Sequence, residues 1–320
     1  LEEQSTAFAM YENNELDYAE APLEQMDRLL DPSEPLSAEF VAPPRNCTYY
    51  YGFVMEKEAV SDVNVRKALS MAIDRQTLVE AVTKGGQVPA NAFTNPQNYG
   101  SAGGDPDVAP WAMTEEQGGT GYAAALADAQ AMLADAGYAD GEGLTLTLAH
   151  NTNESHAKVA QAIQAMWTAA FPQIQVLVES QEWGVYLDSL DNDAPMEGKP
   201  DIYRLGWCQD YPHANNWLHE VFNPEAGANN VMMSPDLPQV GDAVTEFTET
   251  TYAAQSASPE EQLALYKRAE QLLNDQMVAI APIYFYTWQG VQKPWLDRVY
   301  SDAKYFYLWN IDAEAKAAAQ

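Results

Sequence analysis

Gly143-Leu144-Thr145-Leu146-Thr147-Leu148 opens the stretch that decides the fold, because Leu and Thr alternate there as they do along a half-buried strand. Asn153 then begins a run in which Val159, Ile163, Met166, Trp167 and Ala170 recur at helical spacing, and Pro172 closes it. Ile174, Val176 and Val178 place a second strand, an amphipathic stretch follows over residues 183–190, and residues 202–207 form a third apolar run. Strand, helix, strand in this order predicts an α/β domain.

Working outward, Asp62 stands where an N-cap belongs, ahead of Val63, Val65, Ala68, Leu69 and Ala72, and a second helix is expected over residues 75–84 until Gly85 and Gly86 stop it. The segment 87–110 is poor in periodicity and rich in Pro and Gly, which reads as a long surface excursion. Residues 121–136 predict an amphipathic helix capped by Gly137, and residues 140–143 a turn. Ser258-Pro259-Glu260-Glu261 is a capping box with Pro at the first helical position; residues 280–286 read as a buried strand, residues 305–309 as a short closing one, and the Ala-rich end as a frayed tail.

With 47 Asp and Glu against 16 Lys and Arg, the 320-residue chain carries a net charge of −31, so phosphate backbones and anionic membrane surfaces are repelled and nucleic acid is excluded as a partner. No run approaches the ~18 consecutive apolar residues of a membrane span. The first residue is Leu1, and any export signal or lipid-anchor cysteine is expected upstream of it.

Motifs for chemistry are missing from the sequence. There is no Gly-x-Ser-x-Gly elbow and no phosphate loop ending in Lys-Ser or Lys-Thr, and Gly85-Gly86 runs into Gln87-Val88. The four histidines, His150, His156, His213 and His219, lack the i, i+4 spacing that sets two imidazoles on one helix face, and Asp135 to Asp140 does not space its oxygens as a calcium loop does. No catalytic residue, metal or cofactor is assigned. Two cysteines, Cys47 and Cys208, form an even count that favours a disulfide over two buried thiols.

Gln181-Glu182-Trp183, together with Arg204-Leu205-Gly206-Trp207-Cys208-Gln209-Asp210-Tyr211-Pro212, resembles the peptide-binding proteins of ABC importers, family 5 of the extracytoplasmic solute-binding proteins. Val63-Asn64-Val65-Arg66-Lys67-Ala68-Leu69-Ser70-Met71-Ala72-Ile73-Asp74-Arg75 and Val291-Gln292-Lys293-Pro294-Trp295 extend the resemblance over essentially the whole chain. It implies a periplasmic-binding-protein-like α/β fold (type II, cluster C) with one complete α/β lobe, residues 51–299, and part of a second, residues 1–50 and 300–320. The early part of the first lobe and an extra domain would then lie outside this chain.

Residue by residue, the resemblance implies that Asp210 pairs with the α-amino group of a peptide and that residues 206–208 offer their main chain to it as a strand edge. Trp183 and Trp207 would wall side-chain pockets. Arg204 and His156 would hold the carboxylate of short peptides, Lys84 would serve longer ones, and Tyr284 and Tyr286 would line the cleft. Cys47 and Cys208 fall where the family has a disulfide. Leu190 departs from the family, standing where a close oligopeptide binder has Arg, which removes a polar contact. The implied protein is an extracytoplasmic monomer, in the periplasm or lipid-anchored at the outer face of the cell membrane. It would deliver oligopeptides to an ABC transporter permease and would not be an enzyme. A nickel chelate, haem or a cello-oligosaccharide on the same fold, or a hydrolase on an α/β scaffold, are the alternatives.

Overall fold

The computed structural model describes residues 3–301 and 306–319. Its main sheet has six strands in the order β4 (Val88–Pro89), β8 (Ile280–Thr287), β3 (Pro44–Phe53), β7 (Ile202–Cys208), β5 (Thr145–Asn151) and β6 (Gln175–Gln181). A second sheet joins β1 (Tyr18–Glu20), β9 (Gly290–Gln292) and β2 (Phe40–Val41), and β10 (Leu296–Asp297) pairs with β11 (Asn310–Ile311).

The stretch that opened the sequence reading forms a βαβ unit. β5 and β6 pair in parallel from Thr145↔Gln175 to Asn151↔Gln181, and helix Glu154–Ala170 crosses between them, started by Asn153, whose side chain accepts the His156 amide. Leu146, Leu148, Ile163 and Trp167 bury the face predicted for them, together with Tyr49, Tyr51 and Phe53 of β3 and the helices Val63–Met71 and Tyr122–Asp135. The other face carries Tyr50, Tyr203, Trp217, Phe222, Phe247 and Tyr266, from the sheet and the helices Asn215–Phe222, Gly241–Ser256 and Pro259–Gln271. The sheet is thus covered by helices on both sides, as its largely apolar strands require.

The Arg66 and Arg75 of the long family-like segment serve the fold. Arg66 is fully buried and donates to the carbonyls of Met277, Val278, Val60 and Ser61, at 2.6 to 3.1 Å. Val278 has a φ of 42°, a left-handed conformation that a β-branched residue rarely adopts, and the guanidinium grips the carbonyls on both sides of that strained peptide. Arg75 likewise donates to Pro282 O at 2.7 Å and Ser70 O at 2.9 Å, tying its helix to β8. Desolvation pulls the pKa of Arg66 down to about 10 and that of Arg75 to about 9, which still leaves both charged at neutral pH.

Several expectations shift. The helix expected over 75–84 runs through Arg75–Thr77 into a wider π-turn, Leu78–Thr83, and it is Lys84, with a φ of 53°, that ends it. The excursion 87–110 is not a surface loop in its first half: Ala90, Ala92, Phe93, Thr94 and Asn95 are buried. The Phe93 and Thr94 amides donate to the buried Glu270 carboxylate, and the Asn95 side chain donates to the Cys47 carbonyl. Of the closing strand expected over 305–309, Tyr305 lies outside the described residues; Phe306–Leu308 is a 3₁₀ turn, and the strand follows at β11. The Ala-rich tail is the helix Ala313–Ala319, capped by Asp312 and fastened by Lys316 to Asp17.

The small sheet has its own core of Phe8, Tyr11, Met26, Leu29 and Val291. The chain passes between the sheets twice, side by side, with the Trp288 amide donating to Pro43 O at 2.8 Å. By sheet membership the chain divides at Pro43/Pro44 and Gln289/Gly290, so residues 44–50 belong to the large sheet and 290–292 to the small one.

Candidate functional site: a cleft between the two sheets

Strand alternation sends Arg204, Gly206 and Cys208 of β7 to one face of the large sheet, and Tyr284 and Tyr286 of β8 to the same face. All five line a cavity of about 430 Å³ whose opposite wall comes from the small unit, through Gln4, Tyr18, Glu20 and Leu23. His156 and Ser155 enter from the first turn of helix Glu154–Ala170, and Trp183, at the start of helix Trp183–Leu190, stands 48% exposed at the rim.

Arg204 is the electrostatic centre. Only 6% exposed, it donates from Nη1 to Asn151 Oδ1 at 3.1 Å and from Nη2 to the Tyr286 hydroxyl, while its guanidinium lies 4.3 Å from the centre of the Tyr49 ring. Its Nε has no partner, and no carboxylate among the described residues pairs with it. A buried cation with neutral partners and an unused donor is costly to hold and attracts an anion. His156 packs edge-on against Tyr49 at 5.6 Å. Burial, then Arg204 and then His150, hold its pKa well below the usual 6.5, so the imidazole is a neutral hydrogen-bonding group beside a permanent charge.

β7 is a sheet edge where it meets the cleft. It pairs with β3 along its whole length, from Cys47↔Cys208 to Phe53↔Ile202, but with β5 only at Ile202 and Tyr203. Beyond them β7 has no strand partner on that side among the described residues, and the Tyr186 hydroxyl donates to the Arg204 carbonyl at 2.7 Å. Gly206 is exposed there, and a Cβ would meet Tyr286 Oη at 3.0 Å and Arg204 Nη2 at 3.4 Å, so a side chain would press on both. Cys47 and Cys208, directly opposite in register, are joined as a disulfide with 4.1 Å between their Cα atoms.

Three expected residues lie outside this lining. Trp207 falls on the other face of β7, where it packs against the second core, because odd positions of the strand point away from Arg204. Lys84, expected to meet a ligand, is paired at 2.5 Å with Asp27 of the small unit. Asp210 stands two residues past Cys208, exposed in the turn that leaves β7 and tied to Asn216. Leu190 is buried in the second core.

Sequence reasoning missed Asn151, Tyr49, Arg45 and Trp288. Tyr49 was within reach of it: in Cys47-Thr48-Tyr49-Tyr50-Tyr51 a period of two puts Tyr49 on the face of Cys47, and therefore of Cys208. Arg45, stacked 4.2 Å over Trp288, carried no such signal.

Residues 1–229 match the bacterial extracellular solute-binding proteins, family 5 Middle. The periplasmic murein peptide-binding protein MppA of Escherichia coli is 32% identical over 92% of this chain and 50% of its own length. The periplasmic oligopeptide-binding protein OppA of Salmonella typhimurium is 30% identical over 89% and 48%. Among solved structures, the E. coli murein tripeptide binding protein MppA superposes with a TM-score of 0.75 at 30% identity, over 93% of this chain and 53% of that one. Haemophilus influenzae OppA in complex with RPPGFSPFR gives 0.77 at 26% identity, over 97% and 57%. The chain spans about half the length of the curated relatives it matches.

Proposed function

The chain belongs to family 5 of the bacterial extracellular solute-binding proteins, and from that premise we propose that it captures short peptides outside the cytoplasm for delivery to the permease of an ABC importer. The large-sheet unit is the peptide-binding lobe and the small unit is part of the lobe that closes on it, the protein acting as a monomer. Capture needs no reaction: a ligand touching both units stabilises the closed arrangement by its differential affinity.

The observation that carries this reading is the buried, carboxylate-free Arg204 beside an unpaired strand edge. A peptide presents one backbone whatever its sequence, so an edge at residues 206–208 gives affinity without choosing side chains. The peptide's terminal carboxylate supplies the anion that Arg204 lacks, with His156 as a neutral neighbour. Asp210, at the other end, meets the terminal ammonium.

The span between the anchors sets a length. Arg204 leans forward, its Nη2 reaching the level of Gly206, and four residue steps of ~3.3 Å from 206 to 210 span at most about 13 Å, the last two steps lying in the turn after Cys208. Three to four extended residues cover roughly 10 to 14 Å. Tri- and tetrapeptides with both ends free are therefore the expected ligands. Calorimetric titration of the full-length protein with a tripeptide, and with the same peptide amidated at its C-terminus, tests this. The free acid should bind at least thirtyfold tighter; equal affinity would remove Arg204 from the site.

A further inference from the structure

Asp210 sits in an exposed turn, and a freely rotating surface carboxylate makes a poor anchor. Its surroundings restrain it. Asn216, the second residue of helix Asn215–Phe222, is fully buried, and its side chain is spent on that turn. Asn216 Oδ1 accepts the Asp210 amide at 2.8 Å, while Nδ2 donates to Asp210 Oδ2 at 3.1 Å and to Glu220 Oε2 at 2.7 Å. The helix is in turn fixed to the sheet by Trp217, Leu218 and Phe222 in the second core.

We propose that Asn216 is the positioning residue of the ammonium anchor: it fixes both the main chain and the carboxylate of Asp210, leaving the other carboxylate oxygen to accept from a ligand. This rests on the reading of Asp210 as that anchor. A tie needed only to shape the turn would require the Oδ1 bond alone, since the amide of residue 210 is the group a turn must satisfy. The Nδ2 donor adds orientation of an exposed carboxylate, and its second bond holds Glu220, a like charge, on the same amide at a fixed separation.

The two halves of the amide separate by substitution. Asn216→Asp keeps an acceptor for the Asp210 amide but removes the donor and sets a third carboxylate beside the other two; Asn216→Ala removes both bonds. The readout is the ratio of Kd for an N-acetylated tripeptide to Kd for the free-amine tripeptide in the full-length protein, which general destabilisation does not change, with thermal melting to show that each variant is folded. The parent should show a ratio of tenfold or more, Asp210→Asn a ratio near one, and both Asn216 variants a loss of at least threefold, with Asn216→Asp, which buries a third carboxylate, melting below Asn216→Ala. If Asp210→Asn abolishes the selectivity while both folded Asn216 variants keep it within a factor of 1.5, the positioning role is overturned and the anchor stands. If Asp210→Asn leaves the selectivity intact, the anchor itself is wrong and the positioning role falls with it.

Discussion

Replacing Arg204 by Met should separate stability from binding. Burying a guanidinium costs several kcal/mol even after relaxation, and here it is repaid by two charged hydrogen bonds, to Asn151 and Tyr286, and by the Tyr49 ring. Those are worth roughly 1.5 to 3 kcal/mol each and up to about 2 kcal/mol, while the unpartnered Nε forfeits about 1 to 3 kcal/mol. The sum is close to balance. Met keeps the apolar stem packed and, with water free to reach Tyr286 from the cavity, Arg204→Met should unfold in urea within about 1 kcal/mol of the parent, or above it. Binding should behave differently, because removing one member of a buried charge pair costs ~2 to 5 kcal/mol, or at least a thirtyfold rise in Kd for a peptide with a free carboxylate. The C-terminally amidated peptide should lose little. A variant destabilised by more than 3 kcal/mol that still prefers the free acid would show Arg204 to be a strut of the fold, and the anion argument would fail.

Two further outcomes are expected. Because burial, then Arg204, depress His156, and burial also depresses His150, the folded state disfavours their protonation. The unfolded chain then binds more protons as pH falls below ~6.5, so stability drops on acidification by at most about 1.4 kcal/mol per pH unit for each group. Urea melts at pH 7.5, 6.5 and 5.5 should show this fall, and His156→Asn should flatten it; an unchanged slope would mean that His156 is solvated. The disulfide closes a loop of 161 residues, for which chain entropy gives ~5 kcal/mol. Cys47→Ser/Cys208→Ser should lose a large part of that in urea melts, with a higher m-value as the unfolded chain expands, and a loss below 1 kcal/mol would show that the β3–β7 ladder holds this junction unaided.

The parts of the fold readable in the sequence are those whose signals are local. The βαβ alternation from Leu144 to Val178, the Asp62 and Ser258 caps and the β8 strand each occupy one contiguous window, and each forms where expected. The small sheet could not be read this way: β1 and β9 have three residues each and are joined by long-range pairs from Tyr18↔Gln292 to Glu20↔Gly290, contacts with no periodicity to announce them. Trp207 shows a subtler limit. The motif that contains it was recognisable, but which face of β7 it takes follows from register, and a shift of one residue inverts the answer. Lys84 was placed near the cleft by resemblance, yet its partner Asp27 lies 57 positions away in a segment with no motif. The burial of Phe93 and Asn95 inside a Pro- and Gly-rich segment was hidden for the same reason, since their satisfaction comes from Glu270 and the Cys47 carbonyl.

The central claim is that this site reads the two charged ends and the backbone of a peptide. Its most direct test is tryptophan fluorescence of the full-length protein, with Trp183 and Trp288 lining the cavity as reporters, titrated with a mixed tri- to pentapeptide pool and with the same pool N-acetylated. Saturable binding confined to the free-amine pool is the predicted result. Equal binding of both pools, or of neither, would contradict it and direct the search to sugars and metal chelates.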